Sequence, residues 1–118
     1  MHRLLQRTDW SFLVGAEVMQ IVIGRHDIQI VLSDAIVIAI HSGFEHTRRG
    51  HELSTAGDTA RRATTLVSLL GRKIQRVAAE GEEALVLSFD NHEVLALLVA
   101  GGAHESLAIT HRNRIVAV

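Results

Sequence analysis

Three histidines stand five residues apart, His41-x4-His46-x4-His51, with Glu45 and Glu52 beside them. Neutral imidazole nitrogens and carboxylate oxygens suit zinc or another divalent transition metal. His41, His46 and His51 are therefore the metal-ligand candidates of this chain. Against them, a five-residue step follows no helical face, since helical neighbours sit three or four apart. It also matches no compact ligand motif such as His-Glu-x-x-His. A polar, solvated loop is the competing reading of the same residues.

The other chemistry-bearing groups are weaker. His26-Asp27 and His92 fall in turn-like stretches beside Asp34 and Asp90-Asn91. A His–Asp pair can orient an imidazole for proton transfer, yet Asp, Asn and Gly are also what tight turns require. His104-Glu105-Ser106 contains triad residue types, but neighbours on a strand point to opposite faces and cannot converge. Arg48-Arg49 and Arg61-Arg62 could grip a phosphate. With a net charge of −1 and 3% aromatic residues, the chain lacks the basic excess and stacking platforms of a nucleic-acid binder. There is no cysteine, which removes disulfides and thiolate chemistry. Gly71 and Gly101-Gly102 form neither a phosphate loop nor a dinucleotide fingerprint. No catalytic residue and no cofactor is assigned.

The elements that must position these groups come from a repeat. Leu13-Val14-Gly15-x-x-Val18-x-x-Ile21 returns 56 positions later as Leu69-Leu70-Gly71-x-x-Ile74-x-x-Val77. At an offset of 57, Ile28-x-Ile30-x-Leu32 matches Leu85-x-Leu87-x-Phe89, and Val37–Ile40 matches Val94–Leu97. The expectation is one domain over 1–118, built from two β repeats at about 13–41 and 69–98. The fold class is α+β: two antiparallel three-stranded meanders forming a curved sheet pair or partly open barrel. Strands are expected near 14–23, 28–33, 36–41, 72–79, 84–90 and 93–100, followed by a hairpin turning at His111-Arg112-Asn113-Arg114. Ala63, Leu66, Val67 and Leu70 repeat at helical spacing and predict one amphipathic helix over about 58–70, with Gly71 as its left-handed cap. Residues 42–57 read as a loose surface loop. Strands 14–23 and 93–100 are apolar on both parities and call for cover on both faces.

These residues resemble an uncharacterised family of small bacterial proteins. The resemblance rests on Ser11-Phe12-Leu13-Val14-Gly15, Leu69-Leu70-Gly71-Arg72-Lys73-Ile74, Leu85-Val86-Leu87-Ser88-Phe89-Asp90 and His104-Glu105-Ser106-Leu107-Ala108-Ile109. The last stretch corresponds to a Tyr-Glu-Ser-aromatic-x-Ile pattern, with His104 in place of the tyrosine and Leu107 in place of the aromatic. The resemblance implies a fold and brings no activity with it.

Function is thus read from what the chain lacks and what it has in surplus. The opening Met1–Arg7 is too polar for a signal peptide, and no apolar run approaches the roughly 20 residues of a membrane span; a cytoplasmic location is expected. Hydrophobic residues make up 47% of the chain, a surplus that a second copy would cover symmetrically. The favoured reading is a non-catalytic interaction or structural module working through protein contacts, as a homodimer, without nucleic-acid or membrane partners. The alternative is a small-molecule or metal-binding protein using the histidine-bearing 41–52 stretch.

Overall fold

The structure, a computed structural model, describes residues 8–41, 43–53, 59–99 and 107–117. A 3-10 turn at Ser11–Leu13 leads into β1 (Val18–Ile23), β2 (Ile28–Leu32) and β3 (Ile36–Ile40), followed by a hairpin of β4 (Phe44–Arg48) and β5 (His51–Leu53). A short helix α1 (Thr59–Ala63) runs into a 3-10 segment (Thr64–Leu69). The second half then repeats the plan with β6 (Ile74–Glu80), β7 (Ala84–Phe89), β8 (Glu93–Leu98) and a hairpin of β9 (Leu107–His111) and β10 (Arg114–Ala117).

The two hairpins change sides. One sheet runs β1-β2-β3-β9-β10 and the other β5-β4-β8-β7-β6. Each meander is thus completed by the hairpin of the other half. All pairings are antiparallel. Arg49-Gly50 and Arg112-Asn113 make the two hairpin turns, with φ of 51°, 82°, 54° and 67°. Two consecutive positive φ values are the signature of a type I′ turn, whose twist suits a two-residue hairpin. The α+β reading with a paired, curved sheet architecture therefore holds, and the described strands close no barrel.

Backbone hydrogen bonds where the halves meet come in matching pairs. Gly15 N donates to Ile74 O at 2.7 Å and Gly71 N to Val18 O at 2.9 Å. Val18 N donates to Arg72 O at 2.9 Å and Ile74 N to Ala16 O at 3.0 Å. Gly15 and Gly71 hold φ of 89° and 81°, a left-handed geometry that a side chain resists. A bulge falls after Val18 in β1 and after Ile74 in β6. The core lies between the sheets, where alternate residues of β2, β3, β7, β8 and β9 are buried.

Three expectations are corrected. The supposed loose loop contains the β4–β5 hairpin: Phe44 and His46 are buried because β4 docks on β8 rather than on its own meander. A strand whose partner is about fifty residues away leaves no local signal beyond alternation, and three histidines with two arginines masked it. The 58–70 helix is α-helical only over Thr59–Ala63. Beyond it the 3-10 geometry, at 3.0 residues per turn, buries Leu66 and Leu69 in line with Ala63 at the helix end and leaves Val67 and Leu70 exposed, at 54% and 43%. Finally, β1 is an edge strand with four of its six residues exposed, not a strand covered on both faces; its Ile21 is half-buried. The outer residues of β8, Val94, Ala96 and Leu98, are likewise half-buried rather than covered.

Candidate functional site

The two charged or polar residues in the described core are His46 and Glu93, at 0% and 3% exposure. Alternation dictates their placement. In β4 the inward positions are Phe44 and His46, and in β8 they are Glu93, Leu95 and Leu97. With Arg48 opposite Glu93 and His46 opposite Leu95, His46 and Glu93 are diagonal neighbours on the inner face.

His46 Nε2 lies 2.5 Å from Glu93 Oε1, and His46 Nδ1 lies 3.0 Å from Thr65 Oγ1. The carboxylate can only accept, so Nε2 carries the proton and donates to it, while Nδ1 accepts from the threonine hydroxyl. Glu93 Oε1 also accepts from Ser68 Oγ at 2.7 Å, and Oε2 from Asn91 Nδ2 at 2.6 Å. Arg48 Nε approaches Oε2 at 3.5 Å. Asn91 Oδ1 in turn accepts from the Glu93 backbone N–H at 3.2 Å. Among the described residues no buried side-chain polar atom lacks a partner.

The electrostatics follow from this arrangement. Burial lowers the His46 pKa, outweighing the pull of Glu93 toward the charged form, so the imidazole is neutral. Burial would raise the Glu93 pKa, but the bonds from Ser68 and His46 prevail and hold the carboxyl below its usual range. A neutral imidazole set between a hydroxyl and a carboxylate has the order of a nucleophile, base and orienting acid. Here, however, the imidazole is sealed from solvent. A surface groove of about 600 Å³, lined by Thr8, Asp9, Trp10, Ser11, Val14, Val77 and Ala79, contains no member of the cluster. What the arrangement does is fasten the 3-10 segment, through Thr65 and Ser68, to β4 and β8.

The candidate metal ligands are placed apart in role. His46 has both ring nitrogens engaged, while His41 and His51 are exposed. Among the described residues no group of three His, Asp or Glu side chains is arranged to hold a metal ion. His26 and His92 are exposed turn residues, and His92 holds a φ of 67°. Arg62 lies over the Phe44 ring at 5.5 Å. His104, Glu105 and Ser106 lie outside the described residues.

A second polar group sits at the corresponding place in the other sheet. Asp34 Oδ2 lies 3.0 Å from His111 Nε2 and Asp34 Oδ1 accepts from Arg112 Nη2 at 2.8 Å. Phe12 stacks on the His111 ring with centroids 4.7 Å apart. Bonds from Arg112 and His111 lower the Asp34 pKa. This group is largely exposed; its buried counterparts to His46 and Glu93 are Ile109 and Ile36, both at 0% exposure.

Sequence reasoning missed Thr65, Ser68 and Glu93. One signal was present: at the offset of 57, Glu93 stands where the first half has Ile36, a charge at a position whose match is core. Comparisons with protein-family models, with curated proteins and with solved structures gave no match to this chain.

Proposed function

We propose that this protein is a non-catalytic interaction module and that its first partner is a second copy of itself, joined through the edge of β1 beyond Val18, whose own backbone groups are taken by Arg72 and Gly71. The observation that carries this reading is the character of the sheet edges. Natural sheets guard exposed edges with charge. Of the four edge strands, β6 carries Arg76 and Glu80, β10 carries Arg114 and β5 carries Glu52. β1, with the sequence Val-Met-Gln-Ile-Val-Ile, carries none.

The contrast with β6 is sharp because the two strands match position for position, bulge included. Met19, Gln20 and Val22 stand where β6 has Gln75, Arg76 and Ala78. Met19, Val22 and Ile23 are 55%, 41% and 46% exposed. Beside them the 3-10 segment, which contacts β1, exposes Val67, and Leu70 is exposed just beyond it. An uncharged edge flanked by aliphatic side chains supports antiparallel pairing of β1 with its copy, which would join two five-stranded sheets across a twofold axis. The sealed state of the His46–Glu93 cluster supports the non-catalytic part of the reading.

Light scattering at micromolar concentration tests it. The wild-type chain should show a dimer mass, and Val22→Lys a monomer mass with an unchanged circular dichroism spectrum. A monomer mass for the wild-type chain overturns the proposal.

A further inference from the structure

The two junctions between the halves follow one pattern and differ in what fills them. At one, β3 meets β9, with Ile36 opposite His111 and Ile38 opposite Ile109. At the other, β8 meets β4, with Glu93 opposite Arg48 and Leu95 opposite His46. Ile36 and Glu93 therefore occupy the same place, as do Ile109 and His46. One junction is closed by an Ile–Ile diagonal and the other by a His–Glu diagonal, and all four side chains are buried.

We propose that the His46–Glu93 pair is a pairing lock, which makes a first half accept a second half and reject a first half from another copy of the chain. Because the hairpins cross over, every junction joins the third strand of one half to the hairpin of the other. Two first halves would set Ile36 against His46 at both junctions, leaving Nε2 buried without its acceptor. Two second halves would set Glu93 against Ile109 at both, with His111 in the place of Arg48 and no imidazole on Oε1. Only the mixed combination gives one apolar diagonal and one satisfied polar diagonal. Copies of a chain that contains both halves meet in all three combinations during folding, so discrimination is needed. A buried polar pair supplies it where a second Ile–Ile diagonal would admit every combination.

Disulfide trapping tests this on the full chain, which contains no cysteine. Thr47 pairs with Val94 and Val37 with Thr110, all on the outer faces. A junction between two first halves would instead bring Val37 opposite Thr47, residues that lie on different sheets within one molecule. The double variant Val37→Cys/Thr47→Cys, refolded from urea at high concentration and oxidised, should give little disulfide-linked dimer. Adding His46→Ile/Glu93→Ile should raise that dimer by about tenfold or more, the scale of a lost discrimination of a kilocalorie or two. Val37→Cys/Thr110→Cys, which spans the native junction, should close within one chain in both backgrounds. Equal dimer yields with and without the polar pair overturn the proposal. So does failure of the native cross-link in the His46→Ile/Glu93→Ile background, because the pair would then serve folding itself rather than choice of partner.

Discussion

Replacing His46 and Glu93 by isoleucine, singly and together, measures what the buried pair contributes. Glu93→Ile leaves the His46 Nε2–H, at 0% exposure, facing an aliphatic side chain. An unsatisfied buried donor costs about 1–3 kcal/mol, and the bonds from Ser68 and Asn91 are lost as well. His46→Ile leaves the Glu93 carboxylate with Ser68, Asn91 and Arg48 but removes its shortest bond. A bond to a charged group is worth about 1.5–3 kcal/mol. Each single change should therefore destabilise by about 2–4 kcal/mol. The double change recreates the Ile–Ile diagonal that the other junction already packs at 0% exposure. Apolar replacement of a buried polar pair is commonly close to neutral, and Ser68 keeps the Thr65 carbonyl as an acceptor while Thr65 and Asn91 lose a partner, so the double variant should lie within about 2 kcal/mol of wild type, giving a coupling of about 2 kcal/mol or more. Urea unfolding followed by fluorescence of Trp10, the single tryptophan and 6% exposed, is the assay. At a slope of about 1–3 kcal/mol per molar urea, the single variants should shift the midpoint by about 1–2 M. Two results refute the reasoning: single variants that cost less than half a molar (about 1 kcal/mol), or a double variant that loses as much as the two singles combined.

Acid should destabilise the wild type through the same pair. Its folded imidazole has a lowered pKa, so the stability it contributes is complete above the unfolded value of 6.5 and declines below it, as the unfolded chain takes up the proton first. Glu93, also lowered, adds stability that is present above the unfolded value of 4.5 and lost as pH falls through its folded value; urea midpoints from pH 7 to 4 should slope more steeply for wild type than for the double isoleucine variant. Replacing residues 45–51 with Gly and Ser should lower the melting temperature by about 10 °C or more, since the hairpin is β8's partner and carries His46; calorimetry showing no change would put the hairpin outside the cooperative unit. Leu69→Ala should cost about 2–5 kcal/mol and Val67→Ala within about 0.5 kcal/mol, the reverse weighting of an α-helical stripe. Leu87→Ala, fully buried in β7 between β6 and β8, should also cost about 2–5 kcal/mol by the same unfolding assay.

What was legible in the sequence is what depends on neighbours along the chain. Alternation at Ile28, Ile30 and Leu32, and at Leu85, Leu87 and Phe89, placed two meanders because a strand and the next strand share one turn. The crossing of the hairpins was not legible, because β4 meets β8 and β9 meets β3 across long sequence distances that leave no local trace. The helical stripe failed for a different reason: Leu66, Val67, Leu69 and Leu70 fit either a 3.6- or a 3.0-residue period, and burial chose Leu66 and Leu69. His46 shows how both failures compound. Seen with His41 and His51 it is one of three evenly spaced ligands; seen across the sheet from Glu93 it is a neutral core side chain whose two nitrogens are already engaged. The residues that make the difference, Thr65, Ser68 and Glu93, become neighbours of His46 only once the hairpin has crossed to the other half. The one buried polar cluster among the described residues is therefore a product of the crossing, placed at one of two otherwise matching junctions, and two halves whose apolar positions run in step differ where they are joined.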